Sequence, residues 1–224
     1  APTHDARTLS DYRMRYAQAR TDRDLQRIHA SVPFLLTWDD HEVDNDYAGD
    51  QHEALDPRFL ERRAAGYQAY FEHMPLPWKM RPRTDGSMPI VTHVDFGALA
   101  RFIVLDDRQY RSPQACQLPG RGGSRDIPAD CAELRDPDRT LLGEAQARWL
   151  DARLAETAHT APYREPVAWL RCFRGIDTLT AMLILAELHD FRRFASPRAL
   201  MAYLGLVPSE NSSGDRHRRG RITK

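Results

Sequence analysis

The chain has 224 residues, with 32 Lys+Arg against 32 Asp+Glu and 42% hydrophobic residues. That length holds one large domain or two small ones, and the hydrophobic content excludes a fully disordered chain. The charge balance argues against a protein that coats polyanions generally. The longest uninterrupted apolar run, Ala181 to Ala186, is too short to span a membrane, and three cysteines are too few for a disulfide scaffold.

The neutral total conceals an asymmetry. Residues 160–224 carry 11 Lys+Arg and 6 Asp+Glu, whereas 1–159 carry 21 and 26. Opposite signs in two segments point to two partners or two origins. No basic stretch leading into an apolar run follows Ala1, so no signal peptide is read there and the location stays open.

In chain order, Thr8-Leu9-Ser10-Asp11 signals a helix start, with Tyr12, Tyr16 and Ala19 on one face. A second short helix is expected over 24–30 with Leu25 and Ile28 inward. The apolar run Val32 to Trp38 reads as a buried strand. Asp56-Pro57 pairs an N-cap aspartate with proline at the first helical position. The helix it predicts, with Phe59, Leu60, Tyr67, Tyr70, Phe71 and Met74 recurring, is stopped by Pro75 and Pro77. Residues 90–96 and 99–105 about Gly97 read as a β-hairpin ending in Asp106-Asp107. Residues 112–140, rich in Pro, Gly, Asp and Arg, read as a long surface loop. Leu142, Ala145, Trp149 and Leu154 mark a helix to about Thr157. After a junction at 158–166, 171–188 predicts two helices about Gly175-Ile176-Asp177, with Asp177 or Thr178 as cap. Leu179, Met182, Leu183 and Ala186 form the apolar stripe, and Cys172 is placed in the core. Ser196-Pro197 starts a further helix that Gly205 closes, and the basic tail from Ser209 reads as flexible.

The densest chemistry is Trp38-Asp39-Asp40-His41-Glu42-Val43-Asp44-Asn45-Asp46. Hard oxygen donors beside an imidazole suit a divalent or trivalent metal and a phosphate substrate. The metal polarises the phosphoryl oxygen and the histidine donates a proton. The same residues also suit an acidic turn that caps a helix, and residue type leaves both readings open.

This block closely resembles the PhoD-like alkaline phosphatase/phosphodiesterase family. So do Asp11-Tyr12-Arg13, Thr21 to Gln26, Leu105 to Arg111 and Leu141 to Leu150, in order over about 1–155. The resemblance implies a metallophosphatase sandwich flanked by helices, hydrolysis of phosphate esters, and iron and/or calcium as metal. Asp40 then stands where the broader metallophosphatase Gly-Asn-His-Glu block has its ligand Asn, with Asp39 a further candidate ligand. His41 is the proton donor or phosphate contact, and Glu42 and Asn45 are supporting groups. The family's upstream Gly-Asp strand and downstream Gly-Asp-X-His block have no counterpart, so an incomplete metal site, little or no activity, an unpaired sheet edge and exposed apolar faces are expected. Family members often carry cysteines where Cys116 and Cys131 stand, so the resemblance allows a disulfide, whose closure would be worth about 3 kcal/mol, and two free thiols in the loop stay equally open.

In the basic segment, Arg216, His217, Arg218, Arg219, Arg221 and Lys224 suit either phosphate neutralisation or a solvated surface. Leu170 to Ala181, Phe191-Arg192-Arg193-Phe194, Tyr203 to Glu210, Ser212-Ser213-Gly214 and Gly220 to Lys224 resemble the C-terminal domain of the insertion-sequence one-hundred-ten transposases. That resemblance implies DNA and a guide RNA as partners and Ser213 as nucleophile, with Ser212 second and the arginines on phosphate. Asp177 departs from it, standing where many members have glycine.

The sequence therefore implies a chimera of α/β (α+β) class. An incomplete metallophosphatase-type sandwich fragment covers 1–157, and a small all-α, helix-hairpin-helix-like segment with a basic tail covers 167–224. The product is an inactive phosphatase fragment or, alternatively, a DNA-binding transposition remnant, with no membrane partner and its oligomeric state open.

Overall fold

The computed structural model describes residues 3–97 and 99–204, together with the backbone of 208–210 and 219–222. The chain divides into two compact units, Ala1–Arg148 and Trp149–Lys224.

The first unit begins with α1 (Leu9–Ala19), started by a reciprocal cap. Thr8 Oγ1 accepts the Asp11 amide, and Asp11 Oδ2 accepts the amide of Thr8. Those backbone donors, Thr8 first and Arg7 next, hold the Asp11 carboxyl well below the usual carboxylate range. Asp22 caps α2 (Arg23–Ser31) by accepting from Leu25. Ile28, expected inward, is 50% exposed, and no residue of this short helix is buried.

Residues 33–39 pair with no strand among the described residues, which corrects the expected buried strand. The alternation is that of a strand: Phe34 and Leu36 are half-buried and Trp38 is buried, while Leu35 is 50% exposed. A side-chain pattern sets which face is apolar. A ladder also needs a partner backbone, and the described residues supply none.

The central helix α3 (Phe59–His73) starts two residues later than Asp56-Pro57 predicted. The Asp56 carboxylate turns onto the Arg58 amide instead of capping the helix, and Arg58 occupies the cap position without a side-chain bond. This helix carries the core of the unit, with Phe59, Tyr67 and Tyr70 packed against Trp38, Val43, Tyr47, Met80, Met88 and Ile90. Gly66 lets α3 approach the turn at 42–43. A Cβ there would lie 3.2 Å from Val43 Cγ2 and 3.3 Å from the Glu42 carbonyl oxygen.

Strands β1 (Thr92–Phe96) and β2 (Ala100–Val104) form the hairpin in antiparallel register, Thr92 opposite Val104 and Phe96 opposite Ala100. They pair only with each other among the described residues. Val94, Phe96, Leu99 and Phe102 stand 40–82% exposed. The 112–140 loop is closed by the Cys116–Cys131 disulfide.

Helix α4 (Glu144–Ala158) crosses from one unit into the other. Its buried residue in the first unit is Gln146 and not Ala145, because Gln146 hydrogen-bonds both the amide and the carbonyl of Asp106. In the second unit, α5 (Arg164–Leu170) ends before Arg171, so Cys172 lies in the following turn and is exposed, contrary to its core placement. Asp177 caps α6 (Thr178–Leu188), accepting from Thr180. The buried stripe of α6 is Ala181, Leu185 and Leu188, while Leu179 and Leu183 are exposed. This helix is apolar nearly all round, so its composition leaves the inward face undetermined and packing against α5 selects it. Ser196 caps α7 (Pro197–Tyr203) as expected. Pro208–Glu210 (β3) pairs with Arg219–Ile222 (β4), so part of the tail read as flexible forms a strand pair. No described helix is long and apolar enough to cross a membrane.

The observed class is mixed helix and small sheet. Its strands occur only as two two-stranded pairs among the described residues.

Candidate functional site

The acidic turn is held from below by an aromatic anchor. Trp38 stacks on Tyr67 at 4.1 Å between ring centroids, meets Tyr70 edge-on, and donates its indole N–H to Asp106 Oδ1 at 3.1 Å. Tyr70 donates to the Thr37 carbonyl. The chain then makes one helical turn, in which the Asp40 carbonyl accepts from the amides of Val43 and Asp44, and the Glu42 carboxylate accepts the Asp39 amide at 2.8 Å. Asp46 closes the loop in the left-handed region (φ 55°), and its amide donates to Asp40 Oδ2 at 2.7 Å.

The predicted residues separate into two groups. Asp39 and Asp40 face Arg108, which places Nε 2.6 Å from Asp39 Oδ1 and Nη2 3.5 Å from Asp40 Oδ1. Burial raises the Asp40 pKa, but the Asp46 and Asp40 amides, Arg108 and His41 more than offset this and leave it below the ordinary value. Burial likewise disfavours the Arg108 charge, and its hydrogen bond to Asp39 with the fields of Asp40, Asp39 and Asp107 carries its pKa above the usual value. His41, Glu42 and Asn45 instead line a cleft of about 650 Å³ together with Tyr12, Tyr16 and Asp44. His41 is 79% exposed and its Nε2 lies 3.9 Å from Asp40 Oδ2.

Two further residues, His52 and Arg62, shape the site and escaped the sequence reading. Asp44 Oδ2 lies 2.6 Å from both His52 Nδ1 and Arg62 Nη1. His52 Nε2 accepts the Asp56 amide, which leaves Nδ1 as the protonated nitrogen aimed at Asp44. The His52 ring stacks on Phe59. Local spacing gives no sign of His52 or Arg62. Arg108, by contrast, sits inside the Leu105 to Arg111 block that the sequence resemblance had already marked.

Among the described residues, no group of three or more His, Cys, Asp and Glu side chains converges as a metal-binding set. The two carboxylates predicted as ligands face a guanidinium, and one oxygen of Asp40 is committed to a backbone amide. That donor set does not fit an iron or calcium centre, which needs several unhindered carboxylate or imidazole donors. Ser212, Ser213, Arg216, Arg218 and Lys224 lie outside the described residues. Arg219 and Arg221 fall on β4, where the backbone alone is described.

The acidic turn thus rests on an aromatic anchor, is faced by Arg108 and borders a cleft. The chain belongs to the PhoD-like phosphatase family, whose model matches residues 1–169. The model of the transposase IS116/IS110/IS902 family matches 168–224, so the chain is a chimera of the two. It is 46% identical over 156 residues to alkaline phosphatase D of Bacillus subtilis, covering 68% of this chain and 25% of that protein. It is 43% identical over 60 residues to the transposase for insertion sequence element IS1533 of Leptospira borgpetersenii, covering 27% of this chain and 17% of that one. A solved structure of PhoD superposes with a TM-score of 0.60 at 43% identity, over 67% of this chain and 28% of the other. The chain thus spans less than a third of the length of the curated relatives it matches.

Proposed function

We propose that residues 1–157 are a PhoD-type phosphoester-hydrolase segment that does not turn over phosphate esters in this chain. A junction at 158–166 joins it to a transposase-type segment at 167–224. The observation that carries this reading is the pairing of Asp39 and Asp40 with Arg108. A guanidinium neutralises the two carboxylates that a metal would need. The test is hydrolysis of p-nitrophenyl phosphate and its diester by the full chain with added calcium and iron. The expected rate equals that of Asp40→Ala. Metal-dependent hydrolysis that Asp40→Ala and His41→Ala abolish overturns the reading.

The transposase-family match and the positive excess of 160–224 favour a second reading for that segment, as a helix-hairpin-helix-like, DNA-binding remnant with a basic tail. Arg216, Arg218, Arg219 and Arg221 would neutralise backbone phosphates, and Ser213 or Ser212 would be the attacking hydroxyl. Retention of duplex DNA that weakens steeply with salt and is lost in R216E/R218E supports it. Retention unchanged in that variant removes it.

A further inference from the structure

The 112–140 loop is closed at two levels. At its base the Ser112 amide donates to the Thr140 carbonyl, and the Thr140 amide donates to Ser112 Oγ. Further out the Cys116–Cys131 disulfide joins its flanks, 15 residues apart. Across the same gap the Cys116 amide donates to Glu133 Oε2, an exposed contact open to water. Between the cysteines only Gly122 and Gly123 are buried, and Leu118 and Ile127 are exposed, so no apolar core holds this stretch in shape. Its shape depends on the cross-link, which removes conformations that the open loop would otherwise sample.

The cross-linked stretch reaches the acidic turn through Asp46. Ser124 donates to Asp46 Oδ2 through its amide at 3.1 Å and through its hydroxyl, and Gln114 Nε2 donates to the Asp46 carbonyl at 2.7 Å. Asp46 in turn gives its amide to Asp40 Oδ2. Beside it the Gly122 amide donates to the Glu53 carbonyl, and Arg121 pairs with Glu53. We propose that the Cys116–Cys131 disulfide is a redox-operated latch on the acidic turn, opened by a dithiol reductant. One thiolate of the reductant attacks Sγ of Cys116, the less buried of the two residues. The S–S bond breaks, and Cys131 leaves as a thiolate that takes up a proton. The reductant's second thiolate then attacks its own sulfur in the mixed disulfide, which closes the reductant's disulfide and releases Cys116 as a thiolate that is protonated in turn. The chain gains the two electrons and two protons that the dithiol loses. The base stays closed by Ser112 and Thr140, so the loosening is confined to the loop and to the turn that Ser124 and Gln114 hold.

The test treats the full 224-residue chain with dithiothreitol in the absence of denaturant. Iodoacetamide is expected to label all three cysteines afterwards, against Cys172 alone before. In the reduced chain the Asp46, Gly122 and Ser124 amides are expected to exchange about tenfold faster, with the amides of α3 unchanged. The Cys116→Ser/Cys131→Ser variant is expected to match the reduced chain without reductant, and reoxidation of the parent is expected to restore slow exchange. Ser124→Asp sets a like charge against Asp46 with the disulfide intact, and is expected to speed the Asp46 amide as reduction does. A disulfide that dithiothreitol reduces only in denaturant overturns the proposal, as do unchanged amides after reduction. Faster exchange throughout α3 also overturns it, since the cross-link would then be a staple of the whole unit. A Ser124→Asp chain that exchanges like the parent overturns it by removing the contact through which the latch acts. None of these readouts involves turnover, so the phosphoester reading can fail without touching the proposal.

Discussion

Residues 1–148 close around large rings, with Tyr47, Tyr67, Tyr70, Phe59 and Trp38 all buried on or beside α3. Residues 149–204 close around Ala158, Val167, Ala181 and Leu185, while Trp169, Phe173 and Leu183 stand more than 60% exposed. The polar groups differ in the same way. Buried Asp106 accepts from Trp38 Nε1, from Gln109 Nε2 and from the amides of Arg108 and Gln109. In the second unit Asp177 accepts from Thr180 and Asp190 from Arg192, both close in sequence, and Tyr203 donates to Glu187 16 residues away. Stability in the first unit therefore comes from contacts distant in sequence. In the second it comes from caps and one narrow helix seam.

Trp38→Ala puts this contrast under the greatest strain. It removes a ring stacked at 4.1 Å on Tyr67 and one of the three donors to Asp106 Oδ1. The expected cost is about 3–5 kcal/mol in urea unfolding followed by circular dichroism. A loss under about 1 kcal/mol would mean that the ring stack does not organise the unit.

The matching truncation in the second unit is Leu185→Ala. Leu185 is 8% exposed, but its neighbours are small and partly wet, so the cavity left behind collapses or fills easily. The expected cost is about 2 kcal/mol, at the low end for such a change. In the unmodified chain, amides of α6 should exchange faster than those of α3. Equal costs for the two truncations would erase the distinction between the cores.

The same contrast explains which features the amino-acid order discloses. Starts set by one side chain on a nearby amide, at Thr8, Asp177 and Ser196-Pro197, are readable from neighbours alone. So is the hairpin about Gly97, whose backbone sits at φ +55°. Segment 32–38 was misread because strand pairing depends on a second chain segment. The inward face of α6 was misread because Leu179 and Leu183 are as apolar as Leu185. At the site, Asp39 and Asp40 stand out as acidic neighbours, yet their partner Arg108 is 69 residues from Asp39, and only the family resemblance pointed towards it. Asp44, His52 and Arg62 converge from three elements with no shared local spacing.

The smallest effect separates the two kinds of ion pair. Arg13 on α1 meets Glu72 on α3 through two bonds of 2.6 Å, 59 residues apart, whereas Arg192 pairs with Asp190 two residues away. The Arg13 hydrogen bond, against a smaller opposing effect of burial, lowers the Glu72 carboxyl from 4.5 to about 2. A carboxyl depressed in the folded state favours folding fully above its unfolded value, near 4.5. That contribution is lost as pH falls from there to about 2. The pair is partly exposed, so Glu72→Gln should cost under about 1 kcal/mol at pH 7. The difference between parent and variant in urea titrations should shrink below pH 4.5 and vanish near pH 2. Taking a difference cancels Asp11, which titrates in the same direction for its own reasons. A gap between the two curves that stays constant down to pH 2 would assign the effect to packing of the Glu72 side chain, and the long-range pairs of the first unit would then weigh no more than the local pairs of the second.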